Sequence, residues 1–239
     1  MKIYCASDFH ISFKNTNYPK IQEFLELVTE DADEFVLCGD IFDLWRCSVD
    51  RIMNREPMKT TYEALLSTIK DIPTTIIWGN HDYNFWKKIA LPVKVTDSFF
   101  SNDIYFCHGW QFDIRQKVGH VFYGSILRSP RLCKTILKAP FELKIMENEQ
   151  RRHNKKIHEK AQEFLEKQRF KYLIMGHTHV PIADNKLFDC GDMIDHFTYV
   201  VINNGKPTLR SLLDDPIETL CEENFFQMQS EELPLLTRI

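Results

Sequence analysis

Short apolar runs that each end in a group of Asp, Asn, His or Gly residues occur five times along this chain. The runs begin at Ile3, Phe35, Thr75, Ile104 and Leu173, and each is three or four residues long. Runs of this length, rich in β-branched and aromatic residues, are typical of strands that are buried on both faces. This feature constrains the fold most, because such strands require a sheet that is covered on both sides.

Segments with helical periodicity lie between the first three of these runs. Apolar residues recur at spacings of three and four over 21–28 and 62–69, which predicts two amphipathic helices. After the fifth run, strand-like segments follow at 187–188, 197–202 and 208–212, and an Asn-Gly pair between the last two predicts a β-hairpin. Strands alternating with helices indicate an α/β layer architecture.

A basic segment interrupts this pattern. From about Gln111 to Lys171 the periodicity is helical only, and Arg115–Lys171 contains fifteen Lys and Arg against six Glu, although the whole chain has a net charge of −4. We therefore predict a core at 1–110 and 172–213, a basic helical cap insertion at 111–171 and an acidic C-terminal tail at 214–239. A block of this charge fits an anionic partner, and it equally fits a helix face in water.

Composition excludes several classes of protein. The 239 residues contain no run of 18 apolar residues, so the sequence offers no membrane span, and Asp8 comes too early for a signal-peptide core. The seven Cys are scattered without C-x-x-C pairs in a chain long enough to be stabilised by burial. This pattern predicts reduced thiols and a cytoplasmic protein.

The residues that follow the five runs are side chains that bind metals. The five groups are Ser7-Asp8-Phe9-His10, Gly39-Asp40, Gly79-Asn80-His81-Asp82, His108-Gly109 and Gly176-His177-Thr178-His179. Each alone is more often a turn, a helix cap or a hydrogen-bonded histidine. Together, at the carboxyl ends of neighbouring strands, they would place carboxylates and imidazoles at one edge, where their charges would be poorly compensated without a cation. Oxygen and imidazole ligands without thiolate suit Mn²⁺, Fe or Zn²⁺.

In this order and spacing the five motifs resemble the calcineurin-like metallophosphoesterase superfamily, over about residues 2–212. The resemblance implies a four-layer α-β-β-α sandwich whose site lies at the strand ends and holds two divalent ions, with Mn²⁺ expected first. It implies that one metal is bound by Asp8, His10 and His179 and the other by Asn80, His108 and His177, with Asp40 bridging them. It also implies that His81 protonates the leaving oxygen or stabilises charge on the phosphate, and that Asp82 orients His81.

Two longer stretches are similar to the UDP-2,3-diacylglucosamine diphosphatase subgroup, which also has a helical cap between the fourth and fifth motifs. They are Gly39–Trp45, with the sequence GDIFDLW, and Gly191–Tyr199. The subgroup has Gly-Asn-Arg-Asp at the third motif, where this chain has His81 in place of Arg. The resemblance implies hydrolysis of a diphosphate or phosphodiester bond in a UDP-diacylglucosamine-like substrate. The alternatives are a phosphodiesterase or phosphatase for a soluble nucleotide or small phosphoester, and a non-catalytic scaffold.

The predicted cap carries cations at helical spacing. One helical face can present Arg128, Arg131, Lys134 and Lys138 beside apolar residues of the same segment. This combination fits a phosphate-bearing amphiphile or peripheral contact with an anionic membrane surface. The segment has few aromatic residues for base stacking, so we expect no nucleic acid partner. A cap helix with its basic side in water is the alternative.

Two further polar residues near the motifs are expected to support the site. Asp43, three positions after Asp40, is expected to cap a helix or to hold a metal-binding histidine by a hydrogen bond. His196 is expected either to support the structure or to contact substrate.

Overall fold

The computed structural model describes residues 1–86, 93–115 and 140–213. Eleven strands are present in this part of the chain: β1 Lys2–Ala6, β2 Glu34–Cys38, β3 Thr74–Ile77, β4 Lys94–Thr96, β5 Ser98–Ser101, β6 Ile104–Cys107, β7 Tyr172–Met175, β8 Ile182–Asp184, β9 Leu187–Asp189, β10 Thr198–Asn203 and β11 Lys206–Ser211. The helices are α1 Tyr18–Asp31, α2 Val49–Asn54, α3 Met58–Asp71, α4 Tyr83–Trp86 and α5 Pro140–Gln168, with a 3₁₀ turn at Trp110–Phe112.

The strands form two sheets. The first has the order β11-β10-β1-β2-β3-β4, and the second has the order β5-β6-β7-β9-β8. Strands β1 to β4 are parallel, as are β6, β7 and β9, so their carboxyl ends lie at common edges. Strands β10 and β11 form the predicted hairpin, with Asn203 opposite Lys206, which confirms the interpretation of the Asn-Gly pair.

Helices α1 and α3 cover the outer face of the first sheet. In α1 the Asn17 side chain accepts a hydrogen bond from the Lys20 N–H and so caps the helix. The buried residues of both helices recur at spacings of three and four, as predicted: Ile21, Phe24, Leu25 and Val28 in α1, and Tyr62, Leu65 and Ile69 among those of α3. They share one apolar cluster with strand residues such as Tyr4 and Leu37.

The inner faces of the two sheets pack against each other. Ile3, Cys5 and Val36 of the first sheet share an apolar cluster with Phe106 and Ile174 of the second. In β1 these residues alternate with Tyr4 and Ala6, which belong to the cluster beneath the helices, because successive side chains of a strand point to opposite faces. Both faces of the first sheet are therefore covered, as the apolar runs predict.

Helix α5 covers the outer face of the second sheet. Ile157, Ala161 and Leu165 are buried in a cluster with strand residues such as Leu173 and Met175. The order helix, sheet, sheet, helix confirms the expected mixed α/β fold with four layers, α-β-β-α.

Much of the predicted cap is outside the described part of the chain. Residues 116–139, including Arg128, Arg131, Lys134 and Lys138, and the tail 214–239 fall there. The described part of 111–171 comprises 111–115 and 140–171, and the second half of α5 packs on the second sheet. The division into core, cap and tail, and the cap itself, therefore stay predictions.

Two predictions from composition concern the cysteines and membrane-spanning helices. Cys5, Cys38, Cys47, Cys107 and Cys190 carry free thiols, and four of them are buried. Among the described residues, no helix combines the length and the apolar character that crossing a membrane requires.

Candidate metal centre

The predicted ligand residues come together where the two sheets end. Asp8 and His10 follow β1, Asp40 follows β2, and Asn80 follows β3 of the first sheet. His108 follows β6, and His177 and His179 follow β7 of the second sheet. Because these strands are parallel within each sheet and the sheets pack face to face, residues from five motifs meet at one edge.

Most of these residues have an unusual backbone conformation. The φ angles of Asp8, Asp40 and His177 are 55°, 54° and 78°, and those of His10 and His179 are also positive. L-residues rarely adopt this left-handed region, which is found preferentially at functional sites. Backbone hydrogen bonds hold the turns, among them Asp8 N–H to Gly39 O at 3.0 Å and His10 N–H to Asp40 O at 3.0 Å.

Gly39 permits the close approach of the two sheets at this edge. Its φ is 96°, and a Cβ atom added to it would overlap the imidazole ring of His108. Only glycine tolerates both the conformation and the contact.

The first group of potential ligand atoms belongs to Asp8, His10 and His179. The Oδ1 atom of Asp8 lies 3.4 Å from His10 Nε2 and 3.3 Å from His179 Nε2. The two imidazole nitrogens lie 3.1 Å from each other. One carboxylate oxygen and two ring nitrogens therefore face a common point.

The second group consists of Asp40, His108 and His177, whose potential ligand atoms all lie within 4.8 Å of one another. Asp40 Oδ2 is 3.2 Å from His108 Nε2 and 3.9 Å from His10 Nε2 of the first group. Asp40 thus lies between the two groups, where a bridging carboxylate is expected. A third set, His10, Asp40 and His81, overlaps both.

Several potential ligand atoms lack the partners that buried polar atoms need. Within the described ranges, Asp8 Oδ1, Asn80 Oδ1 and His108 Nε2 are buried and make no hydrogen bond. A buried polar atom without a partner costs roughly 1–3 kcal/mol. Divalent cations would satisfy all three atoms, and the oxygen and imidazole donors suit such ions. The residues therefore fit the metal centre that the sequence predicts.

Partners of the other ring nitrogen orient three of the histidines. His108 Nδ1 donates to the Cys38 carbonyl oxygen at 2.7 Å, which leaves Nε2 for a metal. His179 Nδ1 lies 3.2 Å from Asp192, and His177 Nε2 lies 3.1 Å from Asp113. Because an ionised carboxylate only accepts hydrogen bonds, each of these nitrogens carries the proton and the other ring nitrogen is left to bind.

Asp113 and Asp192 are site residues that the sequence analysis did not identify. Burial alone would raise the pKa of each carboxyl, but contacts with His177 and His153 for Asp113, and with His179 and His196 for Asp192, hold the pKa well below its usual value. Asp192 also accepts the His196 Nδ1–H at 3.1 Å, so His196 supports the carboxylate that orients a predicted ligand. Asp192 lies in the Gly191–Tyr199 stretch, whereas no motif pointed to Asp113.

The predicted catalytic histidine is held by Asp43. His81 Nδ1 lies 3.1 Å from Asp43 Oδ1, and the ring stacks on Trp45 at 3.7 Å between centroids. Arg46 Nη1 donates to Asp43 Oδ2 at 2.6 Å. Burial would raise the pKa of Asp43, but His81 and Arg46 lower it to about 2, so this carboxylate is ionised. Asp43 therefore holds a histidine, but that histidine is His81 and not one of the predicted metal ligands.

The Asp82 carboxylate contacts the turns after β2 and β3. It accepts hydrogen bonds from the backbone N–H groups of Ile41 at 2.7 Å and Gly79 at 2.9 Å. Burial and the nearby Asp40 carboxylate raise its pKa to about 6. The buried carboxyl therefore joins these two turns, while Nδ1 of His81 lies against Asp43. The orienting role that the resemblance implies for Asp82 stays a prediction.

The acidic ligands strongly affect the neighbouring imidazoles. Burial alone would lower the pKa of His108, but Asp40 and Asp8 raise it to about 10. Likewise, burial would lower the pKa of His179, but Asp8 and Asp192 raise it to about 9. Without a cation, protons therefore supply the positive charge that these carboxylates attract.

A cavity of about 570 Å³ opens above the two ligand groups. Its lining combines ligand residues with cationic, polar and apolar side chains, including Phe13, Trp45, Arg46, Arg115, Gln150, His153, Ile157 and Ile194. The volume is within the usual range for a small-molecule site. A phosphate ester with an organic group of moderate size fits this mixture of charge and apolar surface.

Known proteins match the chain along most of its length. The calcineurin-like phosphoesterase family matches residues 1–181. A UDP-2,3-diacylglucosamine hydrolase of Psychromonas ingrahamii is 25% identical over 243 residues, covering 87% of this chain and 96% of that protein. A protein of the same name from Actinobacillus succinogenes is 25% identical over 199 residues, covering 74% and 83%.

A solved structure of a predicted phosphoesterase from Streptococcus pneumoniae covers 88% of this chain and 97% of its own. It is 14% identical and has a TM-score of 0.38.

Proposed function

The chain belongs to the calcineurin-like phosphoesterase family and is a metal-dependent phosphoesterase, and from that premise we propose that it cleaves a diphosphate or phosphodiester bond with two divalent metal ions. The observation that carries the proposal is the position of Asp40 between two groups of potential ligand atoms. One carboxylate shared by two such groups is the arrangement that a dinuclear centre requires.

We propose Asp8, His10 and His179 as ligands of one ion and Asn80, His108 and His177 as ligands of the other. When bound, two divalent ions would neutralise phosphate oxygens and make a hydroxide nucleophile available at neutral pH. The buried atoms without hydrogen bonds on Asp8, Asn80 and His108 support this set. Mn²⁺ is the proposed metal, with Fe and Zn²⁺ as alternatives.

His81 is the proposed group that acts on the phosphate ester. Asp43 accepts the proton of Nδ1, so Nε2 is the nitrogen that faces the site, 3.8 Å from Asp40 Oδ2. When Nε2 also carries a proton, the ring is placed to donate that proton to the leaving oxygen and to stabilise charge on the phosphate. The Asp82 carboxyl supports this role indirectly, because it holds the turn that carries His81.

The proposed substrate is UDP-2,3-diacylglucosamine or a related nucleotide-linked lipid. Support comes from the two relatives of that name and from a cavity that combines ligand residues with apolar side chains such as Phe13 and Ile157. The predicted cap residues Arg128, Arg131, Lys134 and Lys138 would bind the phosphates of this substrate or an anionic membrane surface.

A substrate screen tests the proposal. The purified protein with Mn²⁺ is assayed on UDP-2,3-diacylglucosamine, cyclic nucleotides, dinucleotides and phosphomonoesters, with Asp40→Asn as the control that lacks the shared carboxylate. We expect Mn²⁺-dependent turnover of the diphosphate that is lost in the variant. Activity on none of these compounds would contradict the proposal.

A soluble nucleotide or small phosphoester is the second candidate substrate. It is favoured by one departure from the subgroup, since the third motif has His81 where an Arg is expected. A higher kcat/KM on cyclic nucleotides or dinucleotides than on the lipid would select it. Leu132 and Ile136 are apolar residues of the predicted cap and lie outside the described part of the chain. The double variant Leu132→Asp and Ile136→Asp should leave turnover of a soluble substrate unchanged, whereas it should abolish turnover of a lipid held by the cap.

A further inference from the structure

Helix α5 contacts two of the turns that carry the proposed metal ligands. Gln150, His153, Asn154, Ile157 and His158 recur at spacings of three and four, so they share one face of the helix. The first four line the cavity, and His158 is buried beside them. The polar members of this face contact residues of the site.

The first contact passes through Asp113. His153 Nε2 lies 3.0 Å from Asp113 Oδ1, and the other carboxylate oxygen lies 3.1 Å from His177 Nε2. The backbone N–H of Arg115 donates to Asp113 Oδ1 at 2.7 Å. Asp113 is 5% exposed, so its charge is compensated by these neighbours rather than by water. The carboxylate therefore holds the His177 ring by Nε2 and leaves Nδ1 to face the metal groups.

The second contact holds the turn between His177 and His179. Asn154 Nδ2 donates to the Thr178 carbonyl oxygen at 2.9 Å, and Gln150 Nε2 donates to Asn154 Oδ1 at 2.9 Å. The hydroxyl of Thr178 donates to Asp189 Oδ2 at 2.7 Å, and His158 Nε2 lies 3.0 Å from the same oxygen. Asn154, His158, Thr178 and Asp189 are buried, and hydrogen bonds among buried groups favour one arrangement of those groups.

The turn that these contacts hold has a strained backbone. His177 and His179 have φ angles of 78° and 60°, which histidine seldom adopts. From the first sheet, Asp8 Oδ2 accepts the His177 N–H at 2.8 Å. From the other side, α5 provides Asn154 and the His153–Asp113 pair. The turn is thus held between β1 and α5.

We propose that His153, Asp113 and Asn154 are positioning residues of the metal centre, so that α5 sets the geometry of the fifth motif as well as covering the second sheet. This inference rests on the proposed metal centre. Groups that orient a metal-binding histidine typically change metal affinity by about 10–100-fold when they are removed.

The test measures Mn²⁺ binding to the full chain by electron paramagnetic resonance of free Mn²⁺, without reference to catalysis. Asp113→Asn, His153→Leu and Asn154→Leu should each weaken binding by about 10-fold or more. His153→Gln keeps a hydrogen-bond donor near Asp113 and should recover part of the loss. Lys155→Ala, on an exposed position of the same helix, is the matched control and should bind as the wild type does.

Urea unfolding of the metal-free variants separates positioning from general stability. Variants that unfold at lower urea but bind Mn²⁺ as tightly as Lys155→Ala would overturn the proposal. Should Asp113→Asn fail to fold, the comparison of His153→Leu with His153→Gln carries the test, because His153 is partly exposed. A wild-type chain that binds no Mn²⁺ would instead overturn the metal centre itself, and the positioning role with it.

Discussion

His81 is held by side chains from outside its own motif. Asp43 binds Nδ1, Trp45 stacks on one face of the ring, and the His10 ring meets it edge-on at 4.8 Å between centroids. Burial lowers the pKa of His81, and the Asp40 and Asp43 carboxylates offset this only in part. A neutral ring whose Nδ1 proton is held by Asp43 has its Nε2 lone pair directed at the site.

At the scale of this residue, His81→Ala should retain Mn²⁺ binding and lower kcat by at least about 10-fold, the usual contribution of a proton-transfer group. Asp43→Asn should lower kcat in the same direction, because an amide can present a donor where the ring needs an acceptor. The double variant should be no slower than His81→Ala, because both changes disable the same His81–Asp43 pair.

Steady-state kinetics with metal analysis checks this prediction. Asp50→Asn makes the same chemical change at an exposed position and serves as the control. Strictly additive losses in the double variant would show that Asp43 acts independently of His81.

Three of the edge strands are among the elements that the sequence pattern did not reveal. Strands β4, β5 and β8 have three or four residues and are partly exposed, so their residues lack the continuous apolar runs of the central strands. In contrast, the sparse apolar stripe of α5, which includes Ile157, Ala161 and Leu165, is the face that packs on the second sheet. Periodicity therefore predicts a helix or strand well where one of its faces is buried, because buried positions are occupied by apolar residues.

For α5, Leu165→Ala should lower the free energy of unfolding by about 2–5 kcal/mol, the usual cost of a cavity at a buried leucine. Leu165 is 3% exposed and belongs to the cluster under the helix. Glu166→Ala, one residue along and exposed, should change it by less than about 0.5 kcal/mol. Urea unfolding monitored by circular dichroism measures both. Equal stabilities would mean that α5 does not form the fourth layer.

Across the whole molecule, the two sheets bring acidic and imidazole groups together in a buried place. Asp8 and Asp40 are fully or almost fully buried, and burial alone would raise the pKa of each carboxyl. Contacts with His179 and His108 instead lower the pKa of Asp8. Contacts with His108 and His81 lower the pKa of Asp40. The same attraction raises the pKa of His108 to about 10 and of His179 to about 9. Cations and protons therefore compete for one set of sites.

Metal uptake by the whole chain should therefore release protons at neutral pH. His108 and His179 are protonated at pH 7 in the metal-free protein, and each must lose a proton to bind a cation. Mn²⁺ affinity should rise with pH up to about 10, the higher of the two pKa values, and fall as the pH is lowered. Calorimetry in two buffers of different ionisation enthalpy counts the released protons. Uptake without proton release would contradict this account of the electrostatics.

The order of the central strands and of α1 and α3, and the identity of the polar residues that follow those strands, can be predicted from sequence alone. Period-two and continuous apolar runs reflect burial on sheet faces, and Asp, Asn and His after parallel strands share an edge whatever the details of packing. This is why the central strands, α1 and α3 were predictable, and why residues such as Asp8, Asp40 and His177 could be expected at one edge.

Contacts between particular side chains depend on three-dimensional packing. Asp43 meets His81, and Asp113 and Asp192 orient His177 and His179. These pairs join residues 13 to 64 positions apart, and hydrogen bonds require donors and acceptors to lie within about 3 Å. Distances that short depend on strand register, turn conformation and how the helix sits on the sheet, and the residue pattern along the chain contains none of these.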